Sequence, residues 1–443
     1  MAPLVALKDL AGNAEEIAMH NQAALGALRF RTAPALIAFA IAVLAALTVP
    51  SLSMAAPKPA VVTFTAAKVG APGNPSVAIV PFTDAVYRSC AEAPINPTKP
   101  CQQVGAVDYG FGIGKLEVTV GQYVAFLNTV DPKGTNRRKL WSSDESSASW
   151  PRYGQIDFSA GARRGRHYEV ASPEWANKPY GFANFLRSAR FANSLYNGVL
   201  LAKKASSSNG FGYVTYKVRL SPRTERGMYD MSERATTRSK KAGFVIPSQD
   251  EWIKSAYYDR NGGGTYSYWK YPTNAGVFGD DTATAPVQAT LDPSNGNVTN
   301  AASQPLSIFH TANTPPPSWC PATFSAEACT TVNPLGLDAE KYAKAFAGSL
   351  GTVGQAGTLG PWGTLDQGGN AVEWTDTITA PPFGVKGKRV WRRLHGGIAN
   401  APAYQLWLSA VGLNPQDNAV FTATYPWLGI RIGVVGNLKL GKG

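Results

Sequence analysis

Apolar and polar positions follow a clear period in only a few stretches of this chain, and each stretch predicts one element. Val61-Val62-Thr63-Phe64 and Val77-Ala78-Ile79-Val80 are short β-like runs set among Gly and Pro turns. A helix is predicted to start after Thr119, an N-cap whose capping box closes on Gln122. Val118 and Tyr123 hold the two positions of a hydrophobic staple there. The helix runs to about Asn128 and is stopped by Asp131-Pro132. A second helix fits Phe185–Tyr196, with Phe185, Ala189, Ala192 and Tyr196 on one face, and Asn197-Gly198 ends it. A third starts at Ser248, with Glu251 closing another capping box and Trp252 packing back on Pro247. It ends near Asp259. Between these helices, residues 131–180 are predicted to be a polar loop with basic clusters at Arg137-Arg138-Lys139 and at Arg163, Arg164 and Arg166. Residues 260–365 show little periodicity. That is too long for a plain loop, so tertiary contacts or bound ions are expected to order them.

Composition narrows the class. Apolar residues are 44% and charged residues 16% of 443, enough to build a core. Gly 44 and Pro 32, with 11 Trp, 18 Tyr and 18 Phe, describe a turn-rich and aromatic-rich globular chain. A coiled coil, a solenoid or a helical bundle does not fit that balance. Arg29 and Arg31 precede an apolar run from Ala33 to Val49, and small residues follow at Ser53-Met54-Ala55. This is the order of a secretory signal peptide, so residues 1–55 are expected to be removed and the protein to be secreted or periplasmic. An uncleaved anchor helix is the alternative; after cleavage no membrane span is expected. Lys8, Arg29 and Arg31 are matched by Asp9, Glu15 and Glu16, so the mature chain keeps the net charge of +13.

Export changes what the four cysteines mean. Cys90 and Cys101 form one close pair, and Cys320 and Cys329 another, both beside Pro-rich sequence. In an oxidising compartment the pairs predict local disulfides, Cys90–Cys101 and Cys320–Cys329, out of three possible connectivities. Neither spacing suits a zinc knuckle. The chain also holds no Gly-rich phosphate loop, Gly-x-Ser-x-Gly elbow or His-Glu-x-x-His helix.

Five blocks in order carry a resemblance. They are Gly114-Lys115-Leu116-Glu117-Val118-Thr119-Val120-Gly121-Gln122-Tyr123 continued by Phe126-Leu127-Asn128, then Ala189–Leu195, then Ile246-Pro247-Ser248-Gln249-Asp250-Glu251-Trp252. Leu365-Asp366-Gln367-Gly368-Gly369-Asn370-Ala371-Val372-Glu373-Trp374-Thr375 follows, and last Leu394-His395-Gly396-Gly397 with Leu428-Gly429-Ile430-Arg431-Ile432. This pattern resembles the formylglycine-generating enzyme, or sulfatase-modifying factor, family. The resemblance spans roughly 106–435. It implies a single large, irregular α+β domain related to C-type lectins, with few helices and much loop. Residues 56–105 are then an N-terminal strand and loop extension, and 436–443 a tail.

The same resemblance implies chemistry that the residues do not support. Family enzymes hold copper(I) on two cysteines that lie between the last two motifs, and thiolate is the soft ligand copper(I) prefers. Here no cysteine follows Leu394, and Ile398 replaces the motif's serine, so copper is not expected. No catalytic residue is assigned. Asn370 and Glu373 resemble ligands of a family calcium site, and hard oxygen ligands suit that ion. Trp252 and Trp374 are expected in the core, and His395 as a satisfied polar position rather than a base. Between the last two motifs, Asn400, Tyr404 and Tyr425 are the predicted ligand-binding residues, on a strip rich in amides and aromatic rings. The basic clusters at 137–139, 163–166 and 238–241 are expected to be solvated loop faces. At a net charge of +13 they also attract polyanions, an anionic glycan being a candidate partner alongside a protein. Nucleic acid is not expected, since no recognition motif is present. The expectation is a secreted binding or structural module, a pseudoenzyme on this scaffold. A divergent metal-dependent oxidase and a diversified ligand-binding receptor are the alternatives.

Overall fold

Three helices punctuate the described part of the chain, and each begins where its cap dictates. The computed structural model describes residues 59–79, 101–149, 154–262, 267–273, 278, 285–292, 295, 297–299, 306–308, 350–380, 389–399, 403–410, 412–415 and 426–440. Helix α1 (Val120–Val130) carries the Thr119–Gln122 capping box, and its N-cap oxygen accepts from the Gln122 N–H at 3.2 Å. It runs two residues beyond the predicted end, because Val130 is buried and Asp131 closes the C-terminus by donating its N–H to Leu127. Helix α2 (Phe185–Tyr196) has the predicted bounds and is capped by the Asn184 side chain. Helix α3 (Gln249–Tyr257) keeps the Ser248–Glu251 capping box.

Sheet and loop make up the rest, so the architecture is mixed α+β. Two short ribbons pair β2 (Val77–Ile79) with β3 (Gln102–Val104), antiparallel, and β10 (Val287–Gln288) with β11 (Leu306–Ser307), parallel. Strands β1 (Val61–Val69), β4 (Phe111–Gly114), β7 (Val199–Ser208), β8 (Phe211–Arg219), β9 (Gly243–Val245) and β16 (Gly433–Val435) form a six-stranded sheet ordered β7-β8-β1-β4-β16-β9. Every pairing in it is antiparallel. β1 is therefore an inner strand, and Val62, Ala66, Ala67 and Val69 along it are buried. β7 is an edge. Only Leu200 along it is buried, while Lys203 and Lys204 face solvent, as edge strands that avoid pairing with other chains commonly do. The long β7–β8 hairpin was not expected from the hydrophobic pattern.

A second sheet carries the motif residues. It contains β12 (Val372–Thr379), β13 (Trp391–His395), β14 (Gly412–Pro415) and β15 (Leu428–Gly429), ordered β14-β13-β12-β15. Only the β12–β15 pairing in it is parallel. The main core contains residues of α1, α2 and both sheets. Tyr123 stacks on Tyr180 at 3.6 Å, Phe126 meets Phe191 edge-on at 5.3 Å, and Phe185 meets Trp374 at 6.3 Å. A second cluster gathers Trp252, Ile253 and Ala256 of α3 with Val69, Phe111 and Ile113 of the first sheet. The stretch 131–180 is less plain than its polarity suggests. It holds a small hairpin, β5 (Ile156–Phe158) with β6 (Tyr168–Val170), and buries Trp175 and Tyr180. The described residues cluster as one unit.

Candidate functional site

The motif blocks meet at one buried charge node. Pairing on β12 sets Glu373 opposite Gly429 of β15 and opposite His395 of β13, which places Arg431 within reach. The Arg431 Nε donates to both Glu373 oxygens at 2.8 Å, and its Nη2 lies 2.7 Å from Oε1. Nη1 donates to the Gly114 carbonyl at 2.8 Å and Nη2 to the Leu365 carbonyl at 2.9 Å. Trp252 Nε1 completes the shell of the carboxylate at 2.6 Å. Both charged side chains are fully buried, so this is an ion pair satisfied on all sides. The glycines of the motif serve close approach. A Cβ on Gly369, whose φ is +91°, would lie 2.1 Å from the Ile308 carbonyl oxygen. The Gly369 N–H donates to the Gly396 carbonyl at 2.6 Å and so ties two motifs together.

Carboxylates outnumber the guanidinium around this node. Glu117 accepts from the Asn370 side chain at 2.9 Å and from the Ala371 N–H at 3.0 Å. Burial, then the charges of Asp366 and Glu373, push its carboxyl well above the ordinary range. Burial likewise pushes Asp366 up to about 6, although the Gly354 N–H donates to it. Asp366 also lines a cavity of about 10 Å³ with Thr273, Ser307, Thr364 and Gln367, the room of about one water molecule.

Asn370 and Glu373, expected to share a calcium ion, are used otherwise. The Asn370 oxygen accepts from the Gly351 N–H at 3.0 Å, and its nitrogen donates to Glu117. The Glu373 oxygens are taken by Arg431 and Trp252. Neither side chain turns a free oxygen toward an ion, so as arranged the two do not fit calcium. Among the described residues, no group of three or more His, Cys, Asp or Glu is placed to hold a metal. Trp252 and Trp374 are core residues, as expected. His395 is buried and stacks on Trp252 at 5.1 Å. Burial and the nearby Arg393 push its imidazole down to about 3, so the ring is neutral at physiological pH.

The predicted ligand strip is only partly placed. Asn400 and Tyr425 lie outside the described residues; the backbone of Tyr404 sits in a 3-10 turn at Ala403–Leu406, and its side chain lies outside them. Cys101 is disulfide-bonded, while Cys90, Cys320 and Cys329 lie outside the described residues.

Of the three basic clusters, the third is not a plain solvated face, since Arg238 pairs with Glu251 at 2.8 Å and Asp376 at 3.3 Å; the first two are brought together. Asp131 staples the loop after α1: its carboxylate accepts from the Thr135 N–H and hydroxyl at 3.0 Å each, and from the Asn136 N–H and the Tyr168 hydroxyl at 2.6 Å each. The Asn136 oxygen accepts from the Leu140 N–H at 2.9 Å. The Gly165 N–H donates to the Pro132 carbonyl at 2.7 Å and straps the loop carrying Arg164 onto it. A cavity of about 360 Å³ results, lined by Lys133, Arg137, Arg138 and Arg164 above buried Val130 and Leu140. Sequence reasoning saw both clusters and could not see that they share a wall. Glu117, Asp366 and Arg431 were legible in the sequence only as members of the motif blocks; Arg431 and three acidic side chains, Glu117, Asp366 and Glu373, shared among those blocks were the available signal.

Comparison with known proteins adds distant structural neighbours only. The chain matches no family profile and no curated protein in sequence. Among solved structures it is similar to CarF (14% identity, TM-score 0.31), covering 85% of this chain and 99% of that one. A variable protein of Treponema denticola gives 14% identity and a TM-score of 0.35, with 85% and 99% covered. PvdO from Pseudomonas aeruginosa gives 13% and 0.36, with 85% and 98% covered. Likenesses at this level say nothing of activity.

Proposed function

We propose that the chain is an exported binding module on a sulfatase-modifying-factor-type, lectin-like scaffold, and not a formylglycine generator. The observation that carries this is the commitment of the motif residues. Glu373, Arg431, Asn370 and Trp252 spend their polar atoms on one another and on backbone, deep in the fold. Groups that face reacting substrate need free, accessible polar atoms, and these residues act as a frame. The sequence supports the same reading, since no thiol follows Leu394 to bind copper(I). Export and the pairs Cys90–Cys101 and Cys320–Cys329 belong to the proposal, and the bonded state of Cys101 is consistent with them. The test is incubation with copper, oxygen, reductant and a cysteine peptide of sulfatase type. The cysteine should remain unmodified; aldehyde formed over many turnovers would overturn the proposal and restore the oxidase.

A further inference from the structure

We propose that the cavity beyond the C-terminus of α1 is a binding site for the sulfate or phosphate groups of an anionic polysaccharide. Lys133, Arg137 and Arg164 line it, are exposed, and make no hydrogen bond or ion pair among the described residues. Guanidinium groups match oxyanions through two parallel N–H donors, and an ammonium adds a point charge. Arg138 has a different part. Its Nη1 donates to the Val130 carbonyl at 3.3 Å, which meets the negative end of α1, and its Nε pairs with Glu225 at 2.8 Å. It is a fixed wall, and the three unpaired cations carry the affinity. The one carboxylate in the lining, Asp131, already accepts four hydrogen bonds from the loop and Tyr168.

The loops are set before any ligand arrives. Gly134 adopts φ +64°, and a Cβ there would lie 2.7 Å from the His167 ring, so only glycine lets the loop sit against the β5–β6 hairpin. Little ordering is then left to oppose binding. A volume of about 360 Å³ lies at the small end of ligand sites, the size of a substituted sugar rather than a folded partner. Exposed Lys139, Arg163 and Arg166 continue the positive charge beside the cavity, which suits a repeating polyanion better than a lone ion. A lipid surface would need apolar side chains to insert, and none of the exposed large apolar residues, such as Ile378 and Leu440, lines this cavity. Single-stranded nucleic acid would need stacking rings, and no aromatic residue lines it.

The site deepens the proposed binding role, yet it does not depend on lost oxidase chemistry, so the two tests fail separately. The probes are heparin, dextran sulfate, a phosphorylated mannan, neutral dextran, inorganic phosphate and vesicles containing anionic lipid. Binding of the whole chain is measured by calorimetry at low and high salt. The sulfated or phosphorylated polymers should bind, neutral dextran should not, and added salt should weaken binding. The triple variant Lys133→Gln, Arg137→Gln, Arg164→Gln should lose about tenfold or more in affinity. Its melting temperature should be unchanged, because these side chains are exposed and unpaired. A control triple of exposed lysines, Lys204→Gln, Lys217→Gln, Lys240→Gln, should lose far less. Equal losses in the two triples would mean diffuse charge and would overturn the site. So would tighter binding to vesicles than to the polymers, or saturation by inorganic phosphate alone at the same affinity.

Discussion

Arg431 shows how much one residue can settle. Its guanidinium takes two carboxylate oxygens and two backbone carbonyls, from Gly114 and Leu365, and so joins elements far apart in sequence. Removing one partner of such a pair leaves an uncompensated buried charge, a loss of about 3–5 kcal/mol. Arg431→Ala is therefore expected to lower stability by that order in urea titration. Arg431→Lys should also destabilise, because an ammonium has no planar fork to reach four acceptors. A variant within about 0.5 kcal/mol of wild type, the usual scale of a surface change, would mean that the node is not a frame.

At the scale of elements, the helices were written in their caps and the loops were not. Thr119–Gln122, Asn184 and Ser248–Glu251 fix the starts of α1, α2 and α3. These are interactions over three residues, and local pattern suffices to find them. The β7–β8 hairpin also had a local signal, the dipeptide Asn209-Gly210, with both residues at positive φ in the structure. It was missed because solvent-facing β7 lacks apolar alternation. The loop after α1 gives a pH prediction. Burial opposes ionisation of Asp131, but donors from Tyr168, Asn136 and Thr135 outweigh it and hold the carboxyl below its ordinary value. A carboxyl depressed in the folded state stabilises above its unfolded value, about 3.9, and the gain disappears as pH falls through the folded value. The melting-temperature gap between wild type and Asp131→Asn should thus be full at pH 6 and close progressively below about pH 4. A gap independent of pH would refute the charged staple.

At the scale of the whole molecule, the question is what supplies positive charge to the node. Sequence resemblance implies calcium at Asn370 and Glu373, whereas Arg431 occupies the Glu373 carboxylate in the structure. An ion bound only to the native state raises stability by about 2.7 kcal/mol at a hundredfold excess over its dissociation constant. Melts of the whole chain in chelator and in millimolar calcium are expected to coincide, because the guanidinium already neutralises Glu373. A clear rise with calcium that Glu373→Ala abolishes would show that Arg431 gives way to the ion. Net charge is the other global property. At +13, long-range attraction of polyanions is a property of the entire chain, and only a built cavity turns it into a site.

Sequence alone determined the three helix starts and the core placing of Trp252 and Trp374, because capping and periodicity act over a few residues; the α+β class came from the resemblance of the motif blocks. The sequence also shows that no cysteine follows Leu394, where the resemblance would put the copper-binding pair. The pairing of Glu373 with Arg431, 58 residues apart, was decided by the parallel register of β12 with β15. The meeting of Arg137 with Arg164 was decided by the β5–β6 hairpin and one backbone hydrogen bond, Gly165 to Pro132. Both are distances closed by chain segments that carry no pattern of their own, and only packing fixes such distances.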